Sequence, residues 1–294
     1  MTHSLTYPEQ WLARGFWDSF ADALEAAPGD RLRYARRAYA QYRAAHGFKA
    51  AAADMLTSPD AQPKLGKSKD RPAYGLMLVP QGGLPAEFWP GSRPVNLCPA
   101  ASAGCAAACL AYAGKGAMNT VQRARAVRTG FMLAHPRAAG TLLGHEVQRA
   151  LLKHGPISLR MNVLSDIRWE LLPGFERAAL AATSMGVQFY DYTAFKPAMR
   201  GMDALRRVDY RLTFSAKESA ATSDDYLTGL LERGSTVAMP FNVRKGQPLP
   251  EQWHGFPVID GDLTDARYLD PAGVVVGLRV KGRVKDDTGF IRTV

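Results

Sequence analysis

From residue 73 onward, short apolar runs alternate with segments whose apolar residues recur at helical spacing. This rhythm constrains the fold most, because joining parallel strands takes a crossover of a dozen or more residues, usually a helix. The runs predict strands over 74–79, 157–163, 187–192, 210–215, 236–242 and 274–280, with a short segment at 258–259 before the last. Helical periodicity predicts helices over 118–134, 138–153, 175–184, 198–206 and 224–233. Six repeats of strand then helix predict an α/β fold, as a complete or partial (β/α) TIM-type barrel. In such barrels the chemistry sits on loops at the C-terminal strand ends. Here those ends carry Asn162, Ser165, Asp166, Trp169 and Glu170, then Asp191, Thr193 and Lys196, then Ser215, Lys217 and Glu218. Asn242 and Arg244 follow, and Asp260-Gly261-Asp262 closes a turn.

The first 57 residues read as a helical N-terminal extension, with helices over 18–27 and 31–45 and a Pro28-Gly29-Asp30 turn whose Asp can cap the second. A polar linker over 58–72 separates this extension from the barrel domain, 73–294, which holds a long cysteine-bearing loop over 96–116. Apolar residues at 47% and charged residues at 22% exclude a mainly disordered chain. No apolar run reaches membrane-spanning length, and residues 1–10 lack the apolar core of a signal peptide. A cytoplasmic protein without membrane partners is the expectation.

All three cysteines, Cys98, Cys105 and Cys109, fall in one short window. An odd number in a chain without an export signal argues against a disulfide framework. Metal ligation is the natural reading. Structural zinc takes four protein ligands, and no second pair stands nearby, whereas three thiolates can hold a four-iron cluster with one iron open to another ligand. The Pro, Gly and small residues of the C-x6-C-x3-C loop let the backbone wrap a bulky inorganic core. Zinc and three unligated thiols remain the alternatives.

Lys plus Arg at 37 against Asp plus Glu at 27 gives a net charge of +10, which favours polyanionic partners. Arg31, Arg33, Arg36, Arg37 and Arg43 share a predicted helix with Tyr34, Tyr39 and Tyr42, and Arg123, Arg125 and Arg128 lie on the helix after the cysteines. Interleaved charge and aromatics suit nucleic acid. An amphipathic helix packing its tyrosines inward explains the first group equally well.

The segments 98–112, 157–173 and 192–197, the second with the core Asn162-Val163-Leu164-Ser165-Asp166-Ile167-Arg168-Trp169-Glu170, resemble a phage family, the gene-product-88-like domain. More distantly they are similar to phage and bacterial radical S-adenosylmethionine proteins. The resemblance spans about 64–282. It implies a partial barrel with a [4Fe-4S] cluster at its mouth, bound by Cys98, Cys105 and Cys109. In active relatives S-adenosylmethionine on the open iron is cleaved reductively, and the resulting carbon radical abstracts hydrogen from a substrate. Asn162, Ser165 and Asp166 are then candidates for holding the methionine portion, and Tyr192, Thr193, Lys196 and Ser215 for shaping the pocket. An electron donor is an implied partner. The chain departs from the usual C-x3-C-x2-C spacing, has Ala108 where an aromatic residue precedes the last cysteine, and has Leu164-Ser165-Asp166 in place of a Gly-Gly-Glu segment. Two functions follow as expectations: a radical enzyme on a nucleic-acid or nucleotide substrate, or a non-catalytic iron–sulfur or zinc protein that binds nucleic acid in phage or plasmid replication.

Other motifs fail on spacing. Gly66-Lys67-Ser68 has Ala61 where a P-loop needs glycine, and His145-Glu146 has Arg149 where a zinc-protease helix needs histidine. Asp260, Asp262 and Asp265 lack the glycine of a calcium loop, so a turn is expected. For Asp166 and Glu170 the plain alternative is helix capping or an ion pair with Arg168 or Arg177, and Trp169 is expected to pack rather than stack on a ligand.

Overall fold

The computed structural model describes residues 7–26, 29–49, 53–62, 64–89, 95–218, 221–280 and 288–293. Three helices open the chain: α1 (Tyr7–Leu12), α2 (Phe16–Glu25) and α3 (Asp30–Ala45). Ala27, the last residue of the first predicted helix, and Pro28 of the predicted turn lie outside the described residues. Asp30 does not cap α3; Gly29 holds the cap position without a side-chain bond. Asp30 instead occupies the first turn, where its charge suits the helix dipole, and pairs with Arg33 at 2.9 Å.

The strands are β1 (Leu56–Thr57), β2 (Ala73–Leu76), β3 (Ile157–Arg160), β4 (Val187–Thr193), β5 (Arg211–Ser215), β6 (Thr236–Phe241), β7 (Gln252–Trp253), β8 (Phe256–Asp260) and β9 (Val275–Arg279). They form one nine-stranded sheet in the order β1-β2-β3-β4-β5-β6-β9-β8-β7. The ladder from β2 through β6 to β9 and β8 is parallel, with antiparallel β1 and β7 at its two edges. The α/β class is therefore as the rhythm of the sequence predicts. The sheet is not closed among the described residues.

Helical crossovers join β2 to β6: α4 (Ala103–Ala107), α5 (Asn119–Ala134) and α6 (Pro136–His154), then α7 (Phe175–Ser184), α8 (Met202–Arg207) and α9 (Asp224–Glu232). The predicted sixth strand-then-helix repeat is replaced. Between β6 and β9 the chain makes the β7/β8 hairpin, and β9 slots between β6 and β8. Pro240, which has no N–H to donate, stands opposite Leu278 in the β6–β9 ladder.

The N-terminal helices belong to the main core. Leu12, Phe16, Trp17 and Phe20 are fully buried in one cluster with residues of α5, α6, α7, β3 and β4. Gly140 and Gly144 allow α2 to cross α6 closely, since a side chain at either would collide with the Phe16 or Phe20 carbonyl. A smaller cluster joins β5, β6, β9 and α9. Among the described residues no helix is long and apolar enough to cross a membrane.

Candidate functional site

Because β2 to β6 run in one direction, their C-terminal ends form a common rim, and the loops leaving it enclose a cavity of about 300 Å³. Cys98, Cys105 and Cys109 all line this cavity. Local chemistry shapes their loop. Asn96 Oδ1 accepts the Cys98 N–H at 2.8 Å, and the Ser102 hydroxyl caps α4 by accepting the Cys105 N–H at 3.3 Å. Behind it, buried Arg125 donates to the carbonyls of Ala111, at 3.0 Å, and Gly116. Arg128 donates to the Met77 carbonyl, and the Thr129 hydroxyl accepts the Val79 N–H. Arg123 donates to the His46 carbonyl at 2.9 Å, so all three basic groups predicted on this helix hold backbone.

The α3 residues are similarly engaged. Arg31 pairs with Asp22 at 2.8 Å, Arg36 meets His145 at 3.3 Å, and Tyr39 is buried against Phe131. Tyr34 alone among the three interleaved tyrosines stands exposed, at 69%.

The Cys98 thiol donates to the Leu164 carbonyl at 3.3 Å. Burial raises the pKa of all three thiols above the ordinary value, with Asp166 adding to the effect at Cys98. Cys105 is pushed up to about 11, by burial first and then by Cys109 and Asp166. Among the described residues no group of three or more His, Cys, Asp or Glu is arranged to hold a metal ion.

Asn162 and Ser165 line the cavity but are tied to one another and to their own loop. Asn162 Oδ1 accepts from the Ser165 hydroxyl at 3.0 Å, the Ile167 N–H at 2.9 Å and Trp169 Nε1 at 3.2 Å. Its Nδ2 donates to the Ile167 carbonyl and Asp191, while its N–H donates to Asp191 Oδ1 at 2.8 Å. Asp191 also takes the Tyr210 hydroxyl at 2.5 Å, and burial pushes its carboxyl up to about 7. Trp169 packs beside Phe16 and Trp17, as expected of a core residue.

Asp166 lines the same wall. Its Oδ2 accepts the Ala194 N–H at 2.8 Å and its Oδ1 faces Arg200 at 3.4 Å, yet burial outweighs these partners and raises its carboxyl. Arg200 also donates to the Thr193 hydroxyl at 2.9 Å and grips Glu170. The ion-pair partner of Asp166 and Glu170 is thus Arg200, rather than Arg168 or Arg177. Arg168 binds Glu9 of α1 at 2.7 Å, and Arg177 reaches Asp22 and Glu25 on α2.

Tyr192, Thr193 and Ser215 line the cavity as well; Lys196 does not, and its ammonium lies 5.0 Å from the Tyr226 ring centroid. Residues 54–294 match the family described as gene product 88. The chain belongs to that family. No curated protein and no solved structure matches it. In this gene product 88 chain the matched region begins after α3, so the Glu9–Arg168 pair joins the preceding helices to the matched part.

Several cavity residues had escaped sequence reasoning. Lys64, within the polar linker, carries no signal of its own, whereas Arg160 does, as a cation inside the run predicted as a strand over 157–163. Phe290 and Ile291 complete the wall because Arg292 pairs with β6, its N–H donating to the Pro240 carbonyl and its carbonyl accepting the Asn242 N–H, both at 2.8 Å. Asp260 and Asp262 form the expected turn, held by Arg279, and Asp265 is buried against Arg160.

Proposed function

We propose that this protein binds a [4Fe-4S] cluster through Cys98, Cys105 and Cys109, and that the open sheet is a partial barrel with the cluster at its mouth. The observation that carries this reading is the meeting of all three thiols on the wall of one cavity at the strand ends. Ligand number favours a cluster over zinc: three thiolates complete the protein ligands of a four-iron cluster with one open iron, but leave structural zinc one ligand short. Bound there, the cluster would supply a low-potential electron and an iron open to a ligand such as S-adenosylmethionine. The chain's own residues provide the rest. Leu164, Ala194, Ala216 and Leu278 keep the cavity wall apolar and exclude water. Asp166, fixed by the Ala194 N–H and Arg200, presents a carboxyl beside the thiols, and Ser165 lies next to it.

A second reading draws on a specific observation: Asn162, Ser165 and Thr193 are engaged with their own loops. They brace the rim instead of presenting free groups to a methionine moiety. On this reading the cluster staples the loop and the protein is not an enzyme. Anaerobic purification followed by iron and acid-labile sulfide analysis tests the cluster. About four irons and four sulfides per chain are expected, lost in the Cys105→Ser variant, and a colourless zinc protein without sulfide refutes it. Release of 5′-deoxyadenosine on reduction with S-adenosylmethionine selects the enzymatic reading, and its absence in cluster-loaded protein selects the second.

A further inference from the structure

Away from the thiols, the cavity wall carries a second polar group of a different kind. Tyr192 ends in a hydroxyl that is shielded from solvent and has no hydrogen-bond partner. Its ring lies between two cations, with Lys64 Nζ 4.7 Å and Arg160 Cζ 4.6 Å from the centroid. All three residues line the cavity. Both cations lean on one buried carboxylate, Asp265, at 3.3 and 3.1 Å, and that carboxylate also accepts the Tyr190 hydroxyl at 3.1 Å. Arg160 faces Asp191 as well, at 3.7 Å, but burial leaves that carboxyl only partly ionised near neutrality. The corner therefore sets two cations and an unpartnered hydroxyl around one point of a largely apolar enclosure. One kind of group, an oxyanion, can engage all three.

We infer that Tyr192, with Lys64 and Arg160, forms a subsite for the carboxylate or phosphate of a small ligand whose apolar body fills the cavity. The Tyr192 hydroxyl donates to an oxyanion oxygen while the two cations offset its charge. Leu164, Leu278 and Phe290 on the same wall suit the apolar body. This inference rests on the reading of the cavity as a ligand site, but not on the identity of the metal.

Three probes of similar size test it: benzoate, phenyl phosphate and benzyl alcohol, titrated at low ionic strength by ligand-observed NMR into the metal-free and the iron-reconstituted protein. At least one oxyanion probe is expected to bind about tenfold tighter than benzyl alcohol, a preference of the size of one charge-assisted hydrogen bond. The better of the two identifies the oxyanion as carboxylate or phosphate. Tyr192→Phe should weaken that probe about tenfold, leave benzyl alcohol unchanged, and leave the melting temperature of the probe-free protein equal or higher, since the lost hydroxyl had no partner. A purely structural tyrosine would lower it. Should Tyr192→Phe fail to fold, Lys64→Met carries the test through loss of the oxyanion preference. The inference is overturned if neither oxyanion outbinds benzyl alcohol, or if the folded variants bind all three probes as the native protein does. A protein without iron that keeps the Tyr192-dependent preference retains the subsite and loses only the cluster.

Discussion

Arg200 holds Glu170 through two parallel bonds, Nε to Oε1 at 2.6 Å and Nη2 to Oε2 at 2.8 Å, and both side chains are completely buried. The pair links the loop after β3 to the segment after β4, the two pieces of chain that carry Asp166 and Ala194 to the cavity. Glu170 Oε1 also accepts the Gly201 N–H at 3.2 Å. Removing one partner leaves a buried charge beside whatever remains, which is far costlier than replacing both with apolar groups. Glu170→Ala is expected to destabilise the protein by about 3–5 kcal/mol in urea unfolding. The double variant Glu170→Leu, Arg200→Met should recover a substantial part of that loss. Equal losses in the single and double variants would show that the pair is not what holds the two loops.

Asn162 poses a different problem, because one amide satisfies five polar groups on four residues. Its replacement by leucine preserves bulk while orphaning the Ile167 N–H and Trp169 Nε1, both buried. The expected cost is on the order of 3 kcal/mol, accompanied by a change in tryptophan fluorescence as Trp169 loses its acceptor. Asn162→Leu with native stability and an unaltered emission spectrum would refute this role.

The crossing of α2 over α6 depends on the absence of side chains at two positions. A Cβ at Gly144 would collide with the Phe20 carbonyl, which cannot move without displacing the helix. Gly144→Val should therefore detach α2, exposing Trp17 and Phe20 and costing more than the roughly 1–3 kcal/mol typical of overpacking by a few methylenes. Limited proteolysis checks this: cleavage before residue 54 should become rapid in the variant while 119–154 stays protected.

Gly104 plays the equivalent part at the cavity. It sits in α4 between the cysteines, and a methyl group there would run into the Phe290 Cβ and come within 2.8 Å of the Thr288 hydroxyl. Gly104→Ala should push residues 288–291 off the cavity wall at a cost of about 1–3 kcal/mol. The variant should lose its C-terminal residues to carboxypeptidase faster than the native protein; indistinguishable digestion would sink the idea.

These particulars also show what a reading of residues alone can reach. The strands over 157–160, 187–193 and 211–215 were legible because an apolar run bounded by turn residues is a local property. So was the placing of Asn162, Ser165, Asp166, Thr193 and Ser215 on one rim, which follows from parallel direction, whereas Lys196, expected there too, lies off the cavity. The partners were not. Arg200 lies 30 residues from Glu170, and Glu9 lies 159 residues from Arg168, so nothing local marks either pair. Likewise β9 enters the sheet between β6 and β8, an order set by tertiary packing rather than by any signal in 236–279. Gly104, Gly140 and Gly144 read as ordinary small residues until the neighbouring backbone is in place.

Glu146 gives the molecule a measurable pH dependence far from the cavity. Its Oε1 and Oε2 accept the N–H groups of Met55 and Leu56, at 2.9 and 2.7 Å, fastening the start of β1 to α6. Burial dominates over those bonds and pushes the carboxyl from 4.5 up to about 7. Between these values the folded protein keeps a proton that the unfolded chain has released. The stability tied to this proton is fully present below about pH 4.5 and is lost as pH rises through 7, a change of about 3 kcal/mol. Glu146→Gln cannot ionise, so its urea-unfolding free energy lacks this decline. Its deficit relative to the native protein, set by one lost acceptor for the Met55 or Leu56 N–H, should be largest near pH 4.5 and shrink toward pH 7.5. A difference between the two proteins that stays constant across this range would mean that the Glu146 carboxyl does not titrate there.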